Sequence, residues 1–82
     1  MINSTIKKAP KHFITLDNVK CFRDNELKRG QHILPKGLDY ITTNAQYLSN
    51  GDMWFELWDE EGYIGWYVIY KNQLNLIKEI SK

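Results

Sequence analysis

The residues best suited to chemistry in this chain are three tryptophans and the carboxylates beside them. Trp54, Glu56 and Trp58 occupy every second position of one segment, and Trp66 follows in the next. An indole face attracts a cation, and a nearby carboxylate supplies a counter-charge, so this group suits a ligand that carries an amine or another cation. The sequence therefore predicts a binding site rather than a reaction centre.

Side chains that catalyse reactions or bind metals are few and lack a suitable spacing. His12 and His32 are the only histidines, and Cys21 is the only cysteine. No zinc-ligand pattern, glycine-rich phosphate loop or nucleophile elbow is present. Cys21, His32 and Asp24 lack the context of a catalytic triad, and we expect Cys21 to be a small buried side chain. We therefore expect no enzyme activity, no metal and no cofactor.

Two strands have to position the rings. Residues 53–58 and 63–68 alternate in character and are joined by Asp59-Glu60-Glu61, which predicts a β-hairpin. We expect Met53, Phe55 and Leu57 to face the core, because the opposite choice would bury Glu56 without a partner. Trp54 and Trp58 then form a ligand platform on the outer face. Alternatively, these rings only cover the second side of a thin barrel, beneath a loop at 23–37.

The charge pattern favours a cationic ligand. Five acids lie within ten residues that contain no Lys or Arg: Asp52, Glu56, Asp59, Glu60 and Glu61. The last three are equally typical of a solvated turn. Residues 1–36 carry eight basic against three acidic residues, a net of +5, and residues 37–82 three against seven, a net of −4. Neither half has the basic stripe of a duplex DNA binder, and acids beside the rings disfavour single-stranded nucleic acid.

Short β-like segments make up most of the remaining chain. Strands are predicted at 12–16, 19–22, 38–43 and 45–48, with a turn at Asn50-Gly51. Residues 23–37 are interpreted as an extended loop with Ile33 and Leu34 anchored in the core. The tail is predicted as a closing strand at 74–78, although 76, 77 and 80 also fit a helical face. Gly65, inside a strand, is interpreted as making room for Trp54 or Trp58.

These elements predict one small all-β domain. The 82 residues are 43% hydrophobic, which suits a single core without a disulfide. We expect residues 1–11 to be a flexible N-terminal lead-in and residues 12–82 to form a small β-barrel of five to six short strands. The early lysines are not followed by an apolar stretch, so we expect a cytoplasmic protein, extracellular only if released or fused, and no membrane span.

The order of segments resembles a known family. Lys20-Cys21-Phe22, a long loop, residues 36–42, residues 51–57 and then Tyr63-Ile64-Gly65-Trp66-Tyr67-Val68 are similar to the bacterial SH3-like domains. Within that group the chain resembles the GW modules and their relatives on Gram-positive surface proteins and phage lysins. The resemblance spans about residues 15–77, and it implies an SH3-like barrel with a long loop after the second strand.

The resemblance implies a non-catalytic module that binds a cell-wall glycopolymer or peptide, such as teichoic acid or peptidoglycan. Aromatic residues lining a groove would then make the contacts, above all Trp54 and Trp66. The alternative is a free-standing intracellular protein-interaction module, of the kind that phages and plasmids encode to inhibit or adapt a host protein. It would bind a basic patch on a partner or pair edge to edge as a homodimer. The full set of ligand-binding candidates is Trp54, Trp58, Trp66, Glu56, Tyr40, Tyr63 and Tyr67.

Overall fold

Alternation of apolar and polar residues produces strands throughout the described part of the chain. The computed structural model describes residues 8–25, 28–58 and 62–80. These residues form eight strands and one 3-10 helix, η1. In chain order they are β1 (His12–Thr15), β2 (Val19–Asn25), β3 (Arg29–Leu34), β4 (Asp39–Ile41), β5 (Asn44–Tyr47), β6 (Met53–Trp58), β7 (Ile64–Ile69), η1 (Lys71–Leu76) and β8 (Ile77–Glu79).

The strands form two antiparallel sheets. The smaller sheet has the order β4-β1-β8, and the larger has the order β3-β2-β7-β6-β5. The chain passes repeatedly between them, and a shared core lies where they meet. The prediction of an all-β fold is confirmed. The arrangement is sandwich-like, and the sheets do not close into a barrel within the described ranges.

Aromatic rings fill the space between the two sheets. Phe13 of the smaller sheet lies edge-on to Phe55 of the larger, with ring centroids 5.4 Å apart. On one side Phe13 stacks with Tyr40 at 5.5 Å, and on the other Phe55 stacks with Tyr67 at 5.2 Å. Around these rings lie the smaller buried side chains Ala9, Val19, Cys21, Leu34, Ala45, Met53 and Ile69.

The hairpin of β6 and β7 forms as predicted, with its inward face as expected. Met53 and Phe55 are fully buried, Leu57 packs against the core, and Glu56 is half-buried on the other side. The Asn50-Gly51 turn is also confirmed, because Gly51 has φ +97°, a left-handed conformation that glycine adopts without strain. The sequence pattern thus located this hairpin and its orientation correctly.

The predicted loop at 23–37 is wrong over much of its length. β2 continues to Asn25, and most of the remaining segment forms β3. β3 lies at the edge of the larger sheet, and Arg29, Gln31 and His32 give it the composition of a loop. Leu34 is buried as predicted, whereas Ile33 is 51% exposed.

Both ends of the described chain are held by hydrogen bonds. In the expected lead-in, Ala9 is buried and its amide donates to the carbonyl of Ala45, while the Lys11 carbonyl accepts from Thr42; residues 1–7 lie outside the described residues. The closing strand is shorter than predicted, because η1 occupies Lys71–Leu76 and β8 only Ile77–Glu79. The proposed 74–78 strand is therefore correct only at its C-terminal end.

Candidate functional site

The tryptophans lie on the face of the larger sheet that is turned away from the smaller sheet, which we call the outer face. Strand register places the side chains of this face in two rows across all five strands. One row runs Gln31, Phe22, Val68, Trp54 and Gln46. The next runs Arg29, Asp24, Trp66, Glu56 and Asn44. The outer face is therefore an aromatic strip with polar residues at both edges.

Rings from neighbouring strands touch along this strip. The Phe22 and Trp66 centroids are 5.8 Å apart with the ring planes tilted by 36°. Phe22, Trp54 and Trp66 are each half-buried. Past the second row, Trp58 pairs with Ile64 and is 59% exposed. Contiguous apolar surface of this kind on a small protein is typical of an interaction site.

Charged groups occupy both sides of the aromatic strip. On the β3 side, the Arg29 guanidinium carbon lies 5.9 Å from the Phe22 ring centroid, and Arg29 Nε is 3.6 Å from an oxygen of Asp24. On the β5 side, the Thr43 hydroxyl donates to the Glu56 carbonyl at 3.3 Å. Within the described residues, no Lys, Arg or His nitrogen lies within 4.0 Å of the Glu56 carboxylate. Glu56 therefore has capacity for a cation from outside.

The structure brings together four of the seven predicted ligand-binding residues. Trp54, Glu56, Trp66 and Trp58 share the outer face, and Trp58 stands at its end. The three tyrosines lie elsewhere. Tyr67 is 4% exposed and stacks on the core ring of Phe55, Tyr40 stacks on Phe13 inside the sandwich, and Tyr63 is half-buried just before β7.

The five acids predicted to lie near the rings do not form one group on the outer face. Glu56 is on the outer face. Asp52 instead accepts hydrogen bonds from the Lys71 amide at 2.7 Å and from the Asn50 side chain at 3.1 Å, so it holds the turn before β6. Asp59, Glu60 and Glu61 lie outside the described residues. The local charge on the outer face therefore comes from Asp24, Glu56 and Arg29.

Sequence reasoning missed the contribution of β2 and β3 to this face. Phe22, Asp24 and Arg29 were assigned to a short strand and a loop, so their alignment beside Trp66 was not foreseen. The signal was present in the alternation of Lys20, Phe22 and Asp24, which predicts one solvent face once β2 is extended. Gly65 was also misinterpreted, since its neighbour is Asn25 of β2 and not a tryptophan.

The remaining reactive side chains are placed as structural groups. Burial raises the pKa of the Cys21 thiol to about 12, against a smaller opposing effect of Arg23. In the portion of the chain that is described, no three His, Cys, Asp or Glu side chains gather as a metal-binding group. Nor does any helix there have the length and apolar character that a membrane crossing requires.

Comparison of the chain with protein-family models, with curated proteins and with solved structures finds no match.

Proposed function

We propose that this protein is a non-catalytic binding module whose ligand lies across the outer face of the larger sheet. The observation that carries the proposal is the strip formed by Phe22, Trp54 and Trp66, which no other described element covers. Rings of this size provide a large contact area with little loss of side-chain freedom on binding. A rigid sheet keeps them in position before the ligand arrives.

The chemistry of the strip favours a ligand that combines an apolar surface with an amine or another cation. Glu56 lies beside Trp66 in the register and has no described cationic partner. Arg29 above Phe22 is an internal example of a cation held against this surface. The resemblance of the sequence to bacterial SH3-like modules makes an amine-bearing glycopolymer or peptide of a Gram-positive cell wall our first choice.

The first test is co-sedimentation of the purified protein with Gram-positive cell walls. We expect saturable retention that Trp54→Ala and Trp66→Ala abolish and Glu56→Lys weakens. Leu16→Ala is the matched control, because Leu16 is 49% exposed but lies on the turn after β1. Equal retention of all variants would mean that the outer face does not bind the wall.

A second candidate function is binding to a protein with a basic patch, which Glu56 also favours, because its carboxylate accepts from the Thr43 hydroxyl but has no cationic partner among the described residues. A pull-down from bacterial cytosol with wild type and Glu56→Lys tests it. A single protein captured directly by the wild type and lost with Glu56→Lys, together with failure on cell walls, would replace the first candidate. If the wild type binds neither cell walls nor a cytosolic protein, the outer face is rejected as a site.

Stability measurements separate loss of binding from loss of folding. Phe55→Ala removes a fully buried ring and should lower the free energy of unfolding by about 3–5 kcal/mol. Trp54→Ala, on the adjacent position but the opposite face, should lower it by clearly less, because the ring is only half-buried. A Trp54→Ala loss as large as that of Phe55→Ala would assign Trp54 to structural support.

A further inference from the structure

A second concave surface lies on the inner side of the larger sheet. It is an open cleft of about 510 Å³ between β4 with the preceding Leu38 on one side and β2, β3, β6 and β7 on the other. The aromatic stack of the core ends here, since Tyr40 and Tyr67 form opposite parts of its wall. The cleft is on the other side of the sheet from Trp54 and Trp66, and the two surfaces meet at Trp58, which stands at the end of the outer face and also lines the cleft.

One wall of the cleft is cationic. Arg23 lies on the inward side of β2 opposite Tyr67, beside His32 of β3 and near Lys28. The Nε atom of Arg23 is inaccessible to solvent, and no acceptor among the described residues bonds to it. A buried donor without an acceptor costs stability, and it is rare unless a ligand or water supplies the acceptor.

The electrostatic environment of His32 also indicates a site for an anion. Burial lowers the pKa of His32, and the charges of Arg23 and Lys28 lower it further. The charges of Arg23 and Lys28 therefore lie close enough to this ring to act on it, although burial has the larger effect on its pKa. The one carboxylate in the lining is that of Asp39, whose side chain is 59% exposed and lies 3.9 Å from His12. Two permanent cations thus face one exposed acid.

The rest of the cleft is apolar, including its rim. Leu34, Leu57 and the two tyrosine rings form the interior. Six large apolar side chains are exposed among the described residues, and four of them line this cleft: Ile33, Leu38, Ile41 and Trp58. Exposed apolar residues that converge on a concavity with a few polar groups are typical of small-molecule sites.

We propose that the cleft binds a small organic carboxylate with an apolar body, with its carboxylate against Arg23 and its body between Leu57 and Tyr40. The guanidinium fork can present two donors to one carboxylate, and a turn of the Arg23 side chain toward the cleft would give the buried Nε an acceptor from the ligand. The negative charge of the bound carboxylate would stabilise protonated His32 and offset the repulsion from Arg23 and Lys28. A fatty acid and the C-terminus of an apolar peptide share this chemistry.

The test is an NMR titration of the full chain with octanoate and, separately, with octanamide. Octanoate should cause saturable shifts of the Leu57 methyl signals and raise the pKa of His32, read from its ring protons. Octanamide has the same body without the charge and should bind at least about tenfold more weakly. The acetylated dipeptide Ac-Leu-Leu, as carboxylate and as amide, tests the peptide source in the same way.

Variants locate the anion. Arg23→Met should weaken octanoate binding by at least about tenfold, and Arg23→Lys, which keeps the charge but not the fork, by less. Arg29→Met is the matched control, because it removes the same charge from the outer face of the same sheet and should leave octanoate binding unchanged. Thermal melting verifies that each variant is folded.

Three results would overturn the proposal. They are the absence of saturable shifts for either carboxylate up to about 10 mM, equal affinity for octanoate and octanamide, and an equal effect of Arg23→Met and Arg29→Met. None of them tests Trp54 or Trp66, which carry the proposed wall binding and do not line the cleft. Wall binding that fails while octanoate binds, or the reverse, therefore distinguishes the two proposals.

Discussion

Gly65 tests how closely β2 and β7 approach each other. It pairs with Asn25, and a Cβ added at Gly65 would lie 2.5 Å from the Asn25 Cβ and 3.0 Å from the Asp24 carbonyl oxygen. These atoms belong to the backbone or are attached directly to it, so a rotamer change cannot relieve the contact. Gly65→Ala must therefore push the two strands apart and break part of their ladder.

The expected cost follows from this overlap. Inserting a methyl group into a filled space costs about 1–3 kcal/mol, and we expect about 2 kcal/mol for Gly65→Ala. In a domain of this size that corresponds to a fall in Tm of roughly 8–16 °C. Urea unfolding followed by circular dichroism gives the free energy, and a thermal melt gives Tm.

A double-mutant cycle assigns the cost to the contact. Asn25→Gly removes the nearest atom, so the double variant should be more stable than the sum of the two single changes predicts, by about 1 kcal/mol. Rescue should be incomplete, because the Asp24 carbonyl remains. A Gly65→Ala protein within about 0.5 kcal/mol of wild type, or a cycle with no coupling, would refute the close approach of these strands.

Three further changes probe groups in and beside the core. Thr15 is 1% exposed, and its hydroxyl donates to one backbone carbonyl at 2.6 Å and accepts from one amide at 3.0 Å; Thr15→Val should therefore cost about 1–3 kcal/mol in urea unfolding, and a neutral result would contradict these bonds. Cys21 is fully buried with a pKa of about 12, so DTNB at pH 8 should label it only as fast as the protein opens; immediate labelling of the folded protein would show an accessible thiolate. The folded-state pKa of His32 is below its ordinary value of 6.5, so the unfolded chain binds more protons and stability should fall as the pH drops below about 6.5. In His32→Gln the urea midpoint should depend less on pH between about pH 7 and pH 5. An unchanged dependence on pH would assign the loss of stability to other titrating groups.

The sequence located the elements whose residues alternate strongly. In β6 the residues Met53, Phe55 and Leu57 alternate with Trp54 and Glu56. This alternation predicts both the strand and its orientation, because the opposite orientation would bury the Glu56 carboxylate. Asn50-Gly51 identified the turn before them. For the site, this was sufficient to place Trp54, Glu56 and Trp58 on one face, whereas the position of Trp66 on that face follows from the strand register.

What could not be predicted depended on contacts between distant segments. β3 has the polar composition of a loop because, among the described residues, no strand pairs with its outer edge. Only its pairing with β2 identifies it as a strand. Tyr40 and Tyr67 have the residue type of a binding surface, yet each stacks on a ring from another strand. The free Nε of Arg23 is visible only when Tyr67 and His32 are placed around it.

The strand order has a consequence for folding kinetics. In the larger sheet β2 pairs with β7, and in the smaller sheet β1 pairs with β8, so each sheet joins an early segment to a late one. Hairpins such as that of β6 and β7 can form locally, but the core ring of Phe13 stays uncovered until the late strands arrive. A growing chain cannot complete the smaller sheet before Glu79 has left the ribosome. We therefore expect the domain to fold only after β8 has emerged, and to fold in milliseconds to seconds, on the order found for β-rich domains of high contact order.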